Sequence, residues 1–362
     1  KVLVAEGATE IDCVVVHIEN RQEEKALNIA LNKAVGEWEP VALADLLSDL
    51  KISGYDLDIT GFDAAEVDDL FSQVHDKDVK EDDFDVGAEL KQPCFSRMGD
   101  VWHLGRHTVI CGDTTLPETF ERLLGDARVN LVCTDAPYFV ALKNKSGTIA
   151  NDDLNDKQAY EFLMKCFTNF KNAMAKDASI YEFYATMKTR VFYDAFEDAG
   201  FKVGAGLVWK KPRAPLMRTD WKFNMEPIIW GWRKDGKHIW YGDQKQTSVF
   251  EFDGIRDSEK EGFGHPSSKP VPLIAYLIKQ CTQTNGLVLD GFLGSASTLI
   301  ACEEISRSCF GVEIEPKFVD VAVKRYVHYH DGQTEDVYLM RDGQRMSFEE
   351  AMAEMQESAN GE

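Results

Sequence analysis

Two short stretches carry residue types at spacings that could do chemistry. In Gly286-Leu287-Val288-Leu289-Asp290-Gly291-Phe292-Leu293-Gly294-Ser295-Ala296-Ser297-Thr298 an apolar strand ends in an acid, a glycine-rich turn follows, and a helix continues through Leu299–Glu304. Such a turn lets backbone N–H groups approach a ligand where a Cβ would obstruct. A second apolar strand ends at Glu313, 23 residues after Asp290. That is the spacing at which a strand-end acid meets ribose hydroxyls in a Rossmann-like site. The plain alternative is a tight strand-to-helix turn that binds nothing; Asp290 and Glu313 together favour a nucleoside cofactor over it. No G-x-x-x-x-G-K-[ST] occurs, so a phosphate-gripping loop is not indicated. On chemistry alone a dinucleotide and S-adenosylmethionine both remain open.

The second stretch is Val129-Asn130-Leu131-Val132-Cys133-Thr134-Asp135-Ala136-Pro137-Tyr138, an apolar strand that ends in an acid, a proline turn and an aromatic ring. Here the sequence resembles the amino-methylating DNA methyltransferases, whose signature is [DNS]-P-P-[YFW] after a strand. The catalytic motif precedes the cofactor motif D-x-F-x-G-S-G, seen as Asp290 to Ala296, which is similar to the β arrangement of that family. Cys111-Gly112-Asp113 resembles the segment whose acid contacts the cofactor's adenine. His265-Pro266-Ser267-Ser268-Lys269-Pro270-Val271 resembles the H-P-x-x-K-P segment that closes over the methionine end. The resemblance covers about Met98 to Tyr326. It implies S-adenosylmethionine as cofactor, held by Asp113, Lys269, Asp290, Phe292, Gly294, Ser295, Thr298 and Glu313, and Asp135, Ala136, Pro137 and Tyr138 as the catalytic residues.

An aromatic amino group is a poor nucleophile because its lone pair is delocalised into the ring. An enzyme must hold its hydrogens so that the pair turns toward the sulfonium methyl. The Asp135 carboxylate and the Ala136 carbonyl would accept those two hydrogen bonds, and Tyr138 would stack on a base rotated out of the duplex. Orientation then supplies most of the catalysis without a covalent intermediate.

The sequence departs from the family pattern at three places. Ala136 stands for the first proline and keeps the carbonyl but loses the ring's stiffening. Gly291 replaces the usual proline of the cofactor motif, and Ala296 its last glycine. Adenine is favoured over cytosine as the base because the motif begins with Asp135, whereas cytosine amino-methylating relatives more often begin with Ser. Methylation at carbon 5 of cytosine needs a Pro-Cys nucleophile, and Pro93-Cys94 precedes the whole catalytic region.

The family's target recognition region lies between the two motifs, here about residues 210–264. From Lys202 to Lys237 there are nine Lys or Arg against three acids, in a chain of net charge −22, interleaved with Trp209, Trp221, Trp230 and Trp232. Lys210, Lys211, Arg213, Arg218 and Trp221 are the expected DNA contacts, the cations to phosphates. A solvated basic face over a tryptophan-rich core is the competing reading. The overall charge argues against nonspecific coating of nucleic acid.

The elements needed to position these residues are short apolar strands alternating with amphipathic helices, the pattern of an α/β domain with a largely parallel sheet. Expected strands are 109–111, 129–133, 179–184, 206–209, 287–289 and 308–312, with helices at 156–174, 188–199 and 271–280. The fold class is therefore a Rossmann-like S-adenosylmethionine-dependent methyltransferase fold over residues 94–330, followed by a hairpin and tail over 331–362. Residues 76–93 are acidic and read as a solvated linker. Residues 1–75 suggest a strand at Ile11–Ile18 and short helices. Glu23 to Lys33 resembles the tail of a ParB-like domain of the kind fused to methyltransferases in phages and prophages, implying a small α+β partial domain. The family's G-H-x-R-type motif is absent, so no nuclease activity is expected of it.

Eight cysteines without a C-x-x-C pair read as buried thiols, not a zinc site. No stretch approaches ~18 apolar residues, and no signal-peptide pattern opens the sequence. A cytoplasmic protein acting on double-stranded DNA and not on a membrane is expected, in a bacterium or phage-infected host, with a homodimer left open. Two other functions stay open: a catalytically silent DNA-binding protein with drifted motifs, and an amine methyltransferase acting on cytosine, RNA or protein.

Overall fold

The computed structural model describes residues 17–18, 20–33, 38–53, 55–63, 66–67, 70, 74, 79–140, 143–144, 147–148, 151–212, 220–242, 245–253 and 268–360. The chain divides into two compact units, Lys1–Asp76 and Lys77–Glu362. In the first, α1 (Arg21–Lys33) and α2 (Pro40–Ile52) bury Ala26 and Ile29 of one helix with Leu43, Leu47 and Leu50 of the other. The i, i+3 and i, i+4 spacings put these side chains on one face of each helix. Of the strand expected at 11–18, residues 11–16 lie outside the described residues, and residues 17–18 are in neither helix nor strand.

The second unit is built on one sheet. Its strands are β1 (Val101–Leu104), β2 (His107–Cys111), β3 (Val129–Thr134), β6 (Met174–Phe183), β7 (Phe201–Lys210), β8 (Met225–Arg233), β9 (Val249–Glu251), β10 (Leu287–Asp290), β11 (Ser308–Glu313), β12 (Val337–Arg341) and β13 (Gln344–Ser347). A separate short pair, β4 (Lys143–Asn144) and β5 (Gly147–Thr148), follows β3. Among the described residues the sheet order is β13-β12-β1-β2-β11-β10-β3-β6-β8-β7-β9. The five strands from β2 to β6 run parallel, and β8 is antiparallel to its neighbours β6 and β7.

Alternating side chains serve both faces, as strands buried on two sides require. Helix α3 (Val86–Glu89) precedes β1, and α4 (Pro117–Leu124) follows β2. Leu131 and Cys133 join one core with α7 (Val271–Cys281), α8 (Ser297–Glu304) and α9 (Pro316–Tyr329), while Val132 joins the other with α4, α5 (Asp156–Ala173) and α6 (Thr189–Asp198). The helix expected at 156–174 starts where Asn155 accepts N–H groups of Lys157 and Gln158 in a capping box. From β10 the chain crosses through α8 to β11 on one side; from β3 it crosses through α5 to β6 on the other. The β10/β3 junction is thus the topological switch point, where α/β sheets open a crevice beyond their carboxyl ends.

Three expectations need correction. The stretch read as a solvated linker is held against the sheet unit: Asp82 pairs with the buried Arg325 at 2.8 Å, Glu89 with Lys324 at 2.6 Å, and Val79 is buried. Its acids have buried or half-buried cations to meet, which a charge count along the chain does not reveal. Within 210–264, residues 225–233 form β8, a strand inside the sheet and not part of a separate recognition region. The terminal hairpin is likewise part of the sheet, since β12 pairs with β1. Arg341 bonds the buried Asp100 at 2.6 Å, and α10 (Phe348–Asn360) sets Phe348 edge-on to Trp102.

Among the described residues the cysteines are free thiols, and no cluster of His, Cys, Asp or Glu is placed to hold a metal ion. No described helix is long and apolar enough to cross a membrane.

Candidate active site

Along the carboxyl edge, the strand order sets acids in a row: Asp113 beyond β2, Glu313 ending β11, Asp290 ending β10, Asp135 beyond β3, Glu182 in β6 and Glu226 in β8. The cations Lys269 and Lys211 meet this row at one end. Lys269 Nζ donates to Asp135 Oδ2 at 2.5 Å and lies 3.3 Å from Glu226 Oε2, and Lys211 also pairs with Glu226. Burial alone would raise Glu226, but Lys269 and Lys211 hold its carboxyl down at about 2. Burial pushes the Asp135 carboxyl up to about 6 against the pull of Lys269.

Asp135, Ala136, Pro137 and Tyr138 follow β3 directly, at the switch point. Among the described residues the Oδ1 oxygen of Asp135 is buried with no hydrogen-bond partner. The Ala136 N–H donates to Glu182 Oε1 at 3.2 Å, and the Tyr138 hydroxyl donates to Glu226 Oε2 at 3.2 Å. The Lys269 ammonium lies 5.3 Å from the centre of the Tyr138 ring. Phe139 comes next with φ +56°, a conformation that bulky side chains rarely adopt, and its ring is buried against Phe162 and Phe192. That anchor turns the chain away after Tyr138.

The glycine-rich turn is tied to the same place. Asp290 Oδ1 accepts from Thr134 Oγ1 at 2.8 Å and from the Phe292 N–H at 3.0 Å, while its Oδ2 accepts from Thr298 Oγ1 at 2.6 Å. Asp290 and Thr298 thus brace the turn, and burial raises the Asp290 carboxyl. Glu313 accepts N–H groups from Gly294 and Glu315, each at 2.8 Å, and burial pushes it up to about 7. Gly294 has φ +51°, with nothing nearer than the Phe292 carbonyl at 3.9 Å where a Cβ would stand. The Ser295 carbonyl accepts from Arg325, and Phe292 packs with Phe162 and Phe170. Asp113 accepts its own turn's Thr115 N–H.

The structure brings the two motifs together and gives two cations partners that the sequence did not suggest. Lys269, expected at the cofactor, has its ammonium on Asp135. Lys211, expected at a phosphate, is paired with Glu226 because that carboxylate is buried and needs a cation. Lys210 pairs with Glu251 at 2.9 Å on an exposed surface, and Trp221 is 85% exposed. Arg213, Arg218 and residues 265–267 of the H-P-x-x-K-P segment lie outside the described residues. Glu182, Glu226 and Thr134 were not singled out from sequence. A lone acid inside the apolar run Ser179–Tyr184 was the available signal, since Glu is almost never fully buried without a reason.

The family model for N6/N4 methylases, described as DNA methylase, matches residues 129–324, more than half of the chain. The chain belongs to the DNA methylase family. The family takes its methyl group from S-adenosylmethionine. The model for the ParB-methyltransferase HTH domain matches residues 41–98, beginning beyond the Glu23–Lys33 stretch and running past the end of the segment read as a linker. This methylase is 26% identical over 225 residues to the Type II methyltransferase M2.MboI of Moraxella bovis, covering 56% of the chain and 81% of that protein. It is 28% identical over 188 residues to the putative methylase YubD of Escherichia coli, covering 51% and 76%. The solved PvuII DNA methyltransferase, cytosine-N4-specific, shares the methylase's fold with a TM-score of 0.52 at 17% identity, over 75% of this chain and 97% of that one.

Proposed function

We propose that this methylase transfers a methyl group from S-adenosylmethionine to the exocyclic amino group of adenine in double-stranded DNA. The observation that carries the reading is the buried, unpartnered Asp135 Oδ1 at the switch point. A buried acceptor left open is costly and calls for a donor from outside the chain. An amino group has two hydrogens to give, and the Ala136 carbonyl beside Asp135 is the second acceptor. Lys269 on Oδ2 orients the carboxylate so that Oδ1 faces the incoming base.

Three further observations fit a nucleoside cofactor in the crevice. Ser297 Oγ, at the start of α8, and Ser268 Oγ, beside Lys269, are buried with no partner among the described residues. The space beside Gly294 is open. Glu313, Asp113 and the backbone of residues 291–295 would hold the nucleoside, with Lys269 at its methionine end. The bound cofactor supplies an electrophilic methyl group. Asp135 and Ala136 draw the amino hydrogens out of the plane of the base so that the nitrogen lone pair turns toward that methyl group, Tyr138 stacks on the ring, and Trp221 with Lys210 holds the flanking DNA.

An acid at position 135 favours adenine, although the PvuII enzyme named above is a cytosine-N4 methyltransferase. The test is incubation of the purified chain with tritiated S-adenosylmethionine and unmethylated duplex DNA beside a D135A control, followed by nucleoside chromatography. Label in methyladenine, absent from the control, is expected. Label in methylcytosine would correct the base, and no label despite cofactor and DNA binding would leave a silent DNA-binding protein.

A further inference from the structure

The family signature has proline where this chain has Ala136, and that exchange does more than loosen a turn. Proline has no N–H; alanine brings one, at a residue that is 1% exposed. A buried N–H must find an acceptor. It finds Glu182, whose Oε1 accepts it at 3.2 Å. The sheet register makes this contact available, because Thr134 of β3 lies directly beside Glu182 of β6, two residues before Ala136.

Glu182 is a costly residue in that place. It is fully buried, and among the described residues its Oε2 oxygen has no hydrogen-bond partner and no cation lies within ion-pair distance of it. Burial raises its carboxyl well above the ordinary range, with Asp135 and Asp290 adding to the effect and the Ala136 N–H opposing it. Burial disfavours the charged form, and a carboxyl in its neutral form still accepts through its carbonyl oxygen. Neither the sheet nor the core needs a carboxyl there, since β6 is otherwise apolar around it and Ile180 and Phe183 supply the packing.

We infer that Glu182 is a positioning residue for methyl transfer: by accepting the Ala136 N–H it fixes the turn that presents Asp135 and the Ala136 carbonyl to the base, the task a proline ring performs in relatives with the full signature. The assignment rests on the proposed function, because only a base-gripping turn needs that precision. It also separates Glu182 from the acids around it. Glu226 works as a charge between two lysines, whereas Glu182 works as a hydrogen-bond acceptor, so Glu182→Gln should serve in its place and Glu182→Leu should not.

The experiment compares the wild-type chain, E182Q, E182L, A136P and A136P/E182L. Hydrogen exchange followed by mass spectrometry on peptides covering residues 131–139 needs no turnover. Protection of the Ala136 amide in wild type and E182Q, with faster exchange in E182L, is expected. In methyl transfer, E182L should lose about 10²-fold in kcat, the scale of a small misplacement of reacting groups. Its KM for DNA and its affinity for S-adenosylmethionine should stay near wild type, and E182Q should stay near wild type in all three. Proline at position 136 removes the N–H, so A136P/E182L should recover most of the lost rate. E182L with wild-type kcat and protection would overturn the assignment. So would E182Q as slow as E182L, or a double variant that melts like wild type and recovers nothing. A wild-type chain that methylates no DNA would instead sink the proposed function, while the exchange comparison would still decide whether Glu182 holds the turn.

Discussion

Asp135 keeps its two oxygens in unlike company, Oδ2 on the Lys269 ammonium and Oδ1 buried and open. Only the ionised carboxylate offers both oxygens as acceptors, and burial pushes this carboxyl up to about 6. The expected pH profile of kcat/KM therefore falls about tenfold per unit below pH ~6 and is level above it. Lys269 lowers the Asp135 value, so Lys269→Met should carry the acid limb to higher pH; a limb that stays in place or moves down would remove Lys269 from this role. Asp135, Pro137 and Tyr138 were legible in the sequence because the motif is contiguous. Glu182 and Glu226 were not, because each is a single acid in a strand and reaches the site only through the order β3-β6-β8. The same limit misassigned Lys211: a cation's partner is set by tertiary neighbours, and its neighbour Glu226 was a carboxylate invisible to a motif search.

The glycine-rich turn and the helix after it show how two departures from one motif differ in sign. Ala296 holds φ +68° at the start of α8, a left-handed conformation that costs an L-residue roughly 1–2 kcal/mol. Ala296→Gly should stabilise the fold by about 1 kcal/mol once the freer unfolded chain is allowed for, seen as a rise in Tm. Gly291 is different. A Cβ there would collide with the buried Phe170 ring, and the Gly291 N–H donates to Thr134 Oγ1 at 3.1 Å. Gly291→Pro restores the family residue yet should destabilise by about 3 kcal/mol or more, through overpacking and a lost donor. An unchanged denaturant midpoint for that variant would show that Phe170 does not fill the space. At this scale the helices at 156–174, 188–199 and 271–280 were readable from periodicity, and the strand–turn–helix at Asp290 from its glycines. β8 was missed because Met225–Arg233 sits inside a basic, tryptophan-rich stretch, whose composition suggested DNA contact before it suggested a strand.

Over the whole molecule a charge of −22 leaves nucleic-acid contact to a small area. Trp221 is 85% exposed in the basic stretch, and one base stacked on an aromatic ring is worth about 1–3 kcal/mol. Trp221→Ala should therefore weaken DNA binding by roughly 5- to 150-fold with Tm unchanged; equal affinity in a titration would take Trp221 out of the interface. The alternation of strands and helices announced the doubly wound fold, but not where its sheet ends, because pairing between β1 and β12 joins residues more than 200 positions apart. That pairing has a consequence for solubility. β13 closes one side of the sheet with four residues, two of them the exposed Gln344 and Arg345, a short polar margin that offers little to a second chain. Without residues 331–362, β1 would become the margin, presenting unpaired backbone beside Val101, Trp102 and Leu104, all buried in the intact chain. A chain ending at residue 330 should keep its catalytic motifs and yet associate edge to edge, scattering light at concentrations where the full chain stays clear.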